Sequence, residues 1–236
     1  MAQTEQKNQN VKKQFEELQS LLERAMALQT SMVLFEWDDE TLAPKGAAEH
    51  TARVIGSLSE QYQEILASMR FKELLDVCQK AEKENAGVFD EVQSAILREA
   101  AEEQERLSCI PPEEYRAYAE LTARATGIWT RAREKNDFAS FAPVLKEIIS
   151  YQKKFAAYRA KPGQKLYDVM LDTYEKGFNM EMLDPFFELM KGKIVPLLKE
   201  SADRSKTVPD AFLSADYPEA AQAEAARFLA EYEGFD

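Results

Sequence analysis

Metal and nucleophile chemistry in proteins leans on imidazoles, and this sequence holds a single one, His50. A helical zinc peptidase site needs two histidines four residues apart, so that both reach one ion, with a glutamate between them to activate its water. His50 has no second histidine to pair with and no glutamate three residues before it, so the Glu-x-x-His motif of di-iron bundles is missing as well. Ser-His-Asp or Cys-His catalysis would rest wholly on His50, whose local sequence supports neither. Beside Glu49 it reads as a surface or packing residue.

Other chemistries fail in similar ways. Eight scattered glycines build neither Gly-x-Gly-x-x-Gly nor a phosphate loop ending in Lys-Ser/Thr. Cys78 and Cys109 form no Cys-x-x-Cys pair and read as reduced, structural thiols. The acidic run Glu99 to Glu105 alternates at helical spacing with Arg98 and Arg106 at its ends, the pattern of a solvated face. A carboxylate-only metal centre is disfavoured, because hard oxygen ligands match zinc peptidase chemistry poorly. The expectation is therefore no catalytic side chain and no metal ligand in this chain.

Three segments carry more information than helix building requires. The first is Phe35-Glu36-Trp37-Asp38-Asp39-Glu40-Thr41-Leu42-Ala43-Pro44-Lys45-Gly46-Ala47-Ala48, with Arg53 beyond it. The second runs from Ala125 through Trp129-Thr130-Arg131-Ala132-Arg133 and Asp137-Phe138-Ala139-Ser140-Phe141-Ala142-Pro143 to Leu145. The third is Tyr167-Asp168-Val169-Met170-Leu171-Asp172-Thr173-Tyr174-Glu175-Lys176-Gly177.

In this order and at these distances the segments resemble the N-terminal half of the carboxypeptidase Taq family of zinc metallocarboxypeptidases. There the first usually reads Trp-Asp-x-x-Thr-x-Met-Pro-x-Gly-Ala, the second Trp-x-x-Ala-Arg-x-x-x-Asp-Phe-x-x-Phe-x-Pro-x-Leu, and the third Tyr-Asp-x-Leu-Leu-Asp-x-Tyr-Glu-x-Gly. Ala43 stands where methionine is usual, Met170 replaces a leucine, and Lys176 replaces a common proline. After a Gly-Phe-Asp like Gly234 to Asp236, family members continue into a His-Pro-Phe segment and a His-Glu-x-x-His helix that this sequence does not contain. The resemblance implies, for the complete enzyme, an all-α fold with a deep groove, a usual dimer, and metal-dependent removal of single residues from peptide C-termini. None of the family's metal ligands can be carried onto this chain. Trp37, Asp38, Thr41, Tyr167, Asp168 and Asp172 are the motif positions that could line the groove, though Asp and Thr also cap helices and aromatic rings also pack between them.

The elements that must position these residues are helices. Phe15, Leu18, Leu22, Ala25, Leu28 and Met32 recur at steps of three and four, predicting a helix over about 11–35 that the polar run from Trp37 to Pro44 breaks. Further helices are predicted over about 46–69, 71–83 and 88–107, with Gly87 as a left-handed cap, and these read as antiparallel neighbours. Pro111-Pro112 opens a helix to about Lys135, another follows from Phe141 to Ala160, and a short one covers 166–174, closed by Gly177. Asp184-Pro185 has the order of an N-cap and first-turn proline, opening a helix to about Ser201 with Pro196 inside it. A loop or short turn over 208–217 and a last helix over 218–232 complete the chain.

Composition agrees. The good helix formers dominate the 236 residues, and 45% apolar with 31% charged side chains is a globular balance. Thirty basic against 42 acidic groups give a formal charge of −12 with no basic patch, which excludes phosphate backbones and anionic lipid as partners. No apolar stretch reaches the ~18 residues of a membrane span, and the polar 1–10 segment predicts an N-terminal tail rather than an export signal, hence a cytoplasmic protein.

The sequence thus predicts an all-α, multi-helix antiparallel assembly, one helical region over 11–236, forming the N-terminal part of a larger grooved metallopeptidase. It would serve as groove wall and scaffold, binding no cofactor itself while zinc or another divalent metal belongs to the full-length family. Its partners would be the metal-bearing half, a peptide substrate and a possible second copy. The alternative is a stand-alone helical interaction module derived from that half. The two differ in surface, since a severed half exposes the apolar face on which the other half docked.

Overall fold

The structure is a computed structural model that describes residues 2–44, 46–85, 87–205 and 209–235. Nine α-helices occur among them: α1 (Ala2–Thr41), α2 (Ala48–Leu66), α3 (Met69–Glu84), α4 (Glu91–Ser108), α5 (Pro112–Glu134), α6 (Phe138–Arg159), α7 (Leu166–Tyr174), α8 (Met180–Ser205) and α9 (Glu219–Glu233). Within the stretch expected to be a loop or short turn lies a short 3₁₀ turn, Ala211–Ser214. The all-α expectation is met, and the chain divides into two units, Met1–Lys176 and Gly177–Asp236, where the sequence suggested one region.

Apolar periodicity builds the first unit's core. Phe15, Leu18 and Ala25 of α1 are buried at the predicted spacing, together with Leu66, Phe71, Leu74, Cys78 and Leu97 from the next three helices. Each fully buried large side chain of this kind contributes roughly 1.5–3 kcal/mol. Burial also pushes the Cys78 thiol up to about 11, so at neutral pH it is a small apolar core group.

Ion pairs record the antiparallel register. Lys7 meets Glu84 and, further along α1, Glu17 meets Arg70 at 2.5 Å, so α1 and α3 run in opposite directions. On α5, Lys154 of α6 reaches Glu114 near the N-terminus, while Gln152 donates to Tyr118 one turn later. Tyr118, Tyr151 and Phe155 interlock here, Tyr118 meeting Phe155 edge-on at 5.2 Å. The acidic run on α4 is only partly a solvated face. Glu103 pairs with Arg106 and accepts from the half-buried Tyr62 hydroxyl, and Glu102 pairs with Lys176. Burial and the Glu103 charge push the Tyr62 phenol well above its ordinary value.

Two contacts fix α2 against its neighbours. Gly56 lies where a Cβ would come within 2.3 Å of the Glu120 Cγ on α5, so only glycine permits this approach. Glu120 is held there by Arg116, whose guanidinium also binds Glu60 of α2 at 3.0 Å. About two turns beyond Gly56 on α2, the fully buried Gln63 donates both amide hydrogens, to the carbonyls of Leu107 at 3.1 Å and Ile110 at 2.6 Å, where α4 ends. The Leu107 carbonyl, in the last turn of α4, also accepts from the Ile110 amide at 3.1 Å, so the side chain adds to the turn that closes the helix.

Several boundaries differ from the sequence prediction, each for a local reason. Helix α1 begins at Ala2 instead of following a polar tail, and it continues through Trp37 to Thr41. Its end is made by the Asp38 carbonyl accepting from Leu42 and Ala43 at 2.9 and 2.8 Å, just before Pro44. Gly87 is not left-handed; the turn before α4 is set by the Asn85 side chain accepting from its amide, and by a capping box between Asp90 and Gln93. Asn136 takes the left-handed position instead (φ 52°), which places Asp137 as the N-cap of α6 three residues earlier than predicted. In the second unit Asn179, not Asp184, caps α8, accepting from the Met182 amide at 3.0 Å, and Pro185 lies inside the helix. Gly234 closes α9 in the left-handed conformation (φ 80°).

Gly56→Ala gains about 1 kcal/mol of helix propensity but must expel the Glu120 side chain from its place. Overpacking at such a contact costs about 1–3 kcal/mol, so the variant is expected to be less stable by about 1–2 kcal/mol. A urea-unfolding midpoint equal to or above that of the parent would show that the helices have room to separate.

Candidate functional site

Where α1 ends, α2 and α5 cross its last two turns and leave an open pocket of about 280 Å³. Continuation of α1 past Phe35 creates it, because residues 36, 39 and 40 then share one helical face. Glu36, Asp39 and Glu40 supply that face, Ala48, Thr51, Ala52 and Ile55 of α2 form a second wall, and Thr122, Ala123 and Thr126 of α5 form the third. Every titratable side chain lining the pocket therefore comes from α1.

The local electrostatics follow from this crowding. Glu36 is raised above the ordinary glutamate value, chiefly because the pocket strips water from its carboxyl and secondly because Glu40 lies beside it. None of the three acids forms an ion pair among the described residues, whereas Glu60 and Glu120, further along the same helices, are both bound by Arg116. Thr51 is 9% exposed as a residue and lines the pocket, and its hydroxyl, which makes no hydrogen bond among the described residues, is open to solvent. This contrasts with Thr41, Thr122 and Thr130, whose hydroxyls each donate to a carbonyl one turn back.

The six motif positions fall in two places, and none lines this pocket. Trp37, Asp38 and Thr41 occupy the last turns of α1. Trp37 is 56% exposed, Asp38 is half-buried with its carbonyl closing the helix, and Thr41 donates to the Trp37 carbonyl at 2.6 Å. Tyr167, Asp168 and Asp172 lie on α7, which packs on α6 through the buried Val169; Tyr167 is 62% exposed, Asp168 half-buried and Asp172 exposed. Sequence reasoning overlooked Glu36, Asp39 and Glu40, because it ended the helix at Phe35. Their i, i+3, i+4 spacing was the available signal.

A metal finds no cage here. Among the described residues no three His, Cys, Asp or Glu side chains converge as ligands, the pocket acids included. His50 is exposed on the first turn of α2. The described residues therefore do not fit the zinc ion that the resemblance implies for a complete enzyme.

Comparison with known proteins bears on the whole chain. Residues 17–236 match a family described as carboxypeptidase Taq (M32) metallopeptidase. Carboxypeptidase 1 of Bacillus subtilis is 32% identical over 216 residues, which cover 92% of this chain and 42% of the relative. Thermostable carboxypeptidase 1 of Pyrococcus furiosus is 30% identical over 183 residues, covering 78% of this chain and 36% of the relative. Among solved structures, the crystal structure of BsuCP superimposes with a TM-score of 0.88 at 30% identity, and that of Pyrococcus furiosus carboxypeptidase with 0.76 at 27%. These superpositions cover 95% and 94% of this chain but 44% of each solved chain. The chain thus spans less than half the length of the relatives it matches.

Raising of the Glu36 carboxyl means that the folded state binds its proton more readily than the unfolded chain. The cost of ionising Glu36 in the fold is then fully present above its raised value and absent below the ordinary glutamate range. Glu36→Gln should accordingly be more stable than the parent at neutral pH and equal to it in acid well below that range. Paired urea titrations at the two pH values check this, and a gap that widens toward low pH would contradict it.

Proposed function

Because the chain belongs to the carboxypeptidase Taq (M32) metallopeptidase family, we propose that it is the N-terminal helical portion of a metal-dependent carboxypeptidase that releases C-terminal amino acids from peptides. In this reading the chain forms scaffold and groove wall and contributes no catalytic side chain. The observation that carries it is the superposition of 95% of the chain on 44% of a solved carboxypeptidase at a TM-score of 0.88. Zinc or another divalent metal, the peptide substrate and a second copy are then properties of the whole cytoplasmic enzyme. Trp37, Asp38, Thr41, Tyr167, Asp168 and Asp172 would contribute to the groove, and the exposure of Trp37 and Tyr167 is consistent with that role.

The surface of the second unit favours this reading over a stand-alone interaction module. Within Gly177–Asp236 no buried large apolar side chain occurs among the described residues, while Phe186, Phe187, Leu197 and Leu198 of α8 and Phe228, Leu229 and Tyr232 of α9 are all exposed. Single exposed apolar residues are ordinary, but such a density on two helices marks surface that another part of a protein covers. An independent module would carry polar residues there.

A chimera tests the proposal. The chain is fused to the remainder of Bacillus subtilis carboxypeptidase 1 beyond the matched region, and release of C-terminal amino acids from short peptides is followed with and without added zinc. The expected outcome is metal-dependent release by the chimera and none by the chain alone. Release by the chain alone would refute the scaffold role. A folded, metal-loaded chimera without activity would refute the assignment as an N-terminal portion of such an enzyme.

A further inference from the structure

From the two-sided pattern of α8, we propose that this helix is the element through which the chain docks on the metal-bearing remainder of the enzyme, its apolar face seated in that remainder's core. The inference rests on the reading given above and assigns the contact to one face of one helix.

Four observations converge. First, at about 100° per residue, Leu183, Phe186, Phe187, Met190, Ile194 and Leu197 fall within about 60° of Met190 on either side, whereas Glu181, Glu188 and Lys199 lie on the opposite face. That is the stripe of a helix that lies on an apolar neighbour. Second, the neighbour is missing from the second unit. Leu183 is half-buried and the other five are exposed, α8 and α9 share no extended contact, and no large apolar side chain of Gly177–Asp236 is buried among the described residues. A helix draws most of its stability from packing its apolar face, so α8, 26 residues and about 39 Å long, needs an occupant there.

Third, the chemistry of the stripe selects a protein core. Aromatic rings alternate with branched and unbranched aliphatic chains, and the one charge among them, Lys193, stands at the edge, from which its stem reaches water. Anionic lipid is repelled by Glu181, Asp184 and Glu188 along the first half of α8 and by the net charge of −12. Fourth, residues 17–236, α8 included, match the family, while more than half of the solved BsuCP chain lies outside the superposed region. Such a relative therefore carries, beyond the shared fold, ample chain to cover the stripe.

The test compares the same substitutions in two settings, the chain alone and its fusion to the remainder of Bacillus subtilis carboxypeptidase 1. Met190→Glu and Ile194→Glu each put a charge in the middle of the stripe, and Lys199→Gln alters the opposite face. In the chain alone the new carboxylates stay in water, so thermal midpoints should remain within about 2 °C of the parent's. In the fusion each glutamate should lower the midpoint by about 5 °C or more and shorten the survival of C-terminal amino acid release on heating, while Lys199→Gln changes neither. A glutamate variant that folds in the chain alone but not in the fusion supports docking equally. An active parent fusion whose midpoint neither glutamate moves would overturn the proposal and leave the peptidase reading intact; a folded, metal-loaded parent fusion without activity would remove the reading and the proposal together. Loss of the chain's own fold on either substitution would also count against docking, since the stripe would then be packed within the chain. Light scattering and sedimentation with phosphatidylcholine vesicles, both on the chain alone, cover the other occupants. A dimer that the glutamates turn into monomer would assign the stripe to a second copy, and vesicle binding that they abolish would assign it to lipid, either result overturning the proposal.

Discussion

Close approach of α2 and α5 at Gly56 is the constraint on which the first unit depends. Because no Cβ fits there, the Glu120 stem lies against the α2 backbone and its carboxylate joins Arg116 and Glu60 in one network. That contact sets how near the two helices stand, and a turn or two away the same pair forms two walls of the pocket while α1 supplies the third. Widening the gap by even the radius of a methyl group would change the shape of the cavity as well as the core. The pocket is thus a by-product of helix spacing, and its chemistry is added by what α1 presents to it.

Much of the fold was legible because it rests on periodicity. The recurrence of Phe15, Leu18 and Ala25 marked the buried face of α1, and the proline and asparagine-rich breaks marked most helix ends. The failures share a cause, which is that competing caps look alike in sequence. Trp37 to Pro44 read as a turn because of its polar residues, yet a helix ends only where backbone partners run out, and Asp38 supplies one for Leu42 and Ala43. Asp184-Pro185 had the right order for a helix start, but Asn179 was free to cap one turn and more earlier. The left-handed turn near α6 fell to Asn136, while Gly87, the residue with the freer backbone, did not take one.

The candidate site was less legible than the fold. Family-like motifs directed attention to Trp37, Asp38 and Thr41, whereas the pocket uses the residues between and before them, Glu36, Asp39 and Glu40. Motif residues and pocket residues therefore interleave along one helix and face different ways. Thr41 illustrates the difference: its hydroxyl is spent on the Trp37 carbonyl, while that of Thr51 is not committed to its own helix. Such a distinction depends on rotamer and neighbour, which no spacing rule encodes.

The Gln63 amide gives the first unit a property that apolar packing cannot. Greasy surfaces slide over one another at little cost, so a bundle held by them alone tolerates neighbouring registers. A fully buried amide that reaches the Leu107 and Ile110 carbonyls at once has a single position along the corner between α4 and α5 at which both are satisfied. A shift of α2 by one residue would strand the Ile110 carbonyl, at a cost of about 1–3 kcal/mol, and take from the Leu107 carbonyl its bond to the side chain. One side chain thereby makes the alignment of three helices all-or-none, acting as a detent that keeps this stack of helices in one notch.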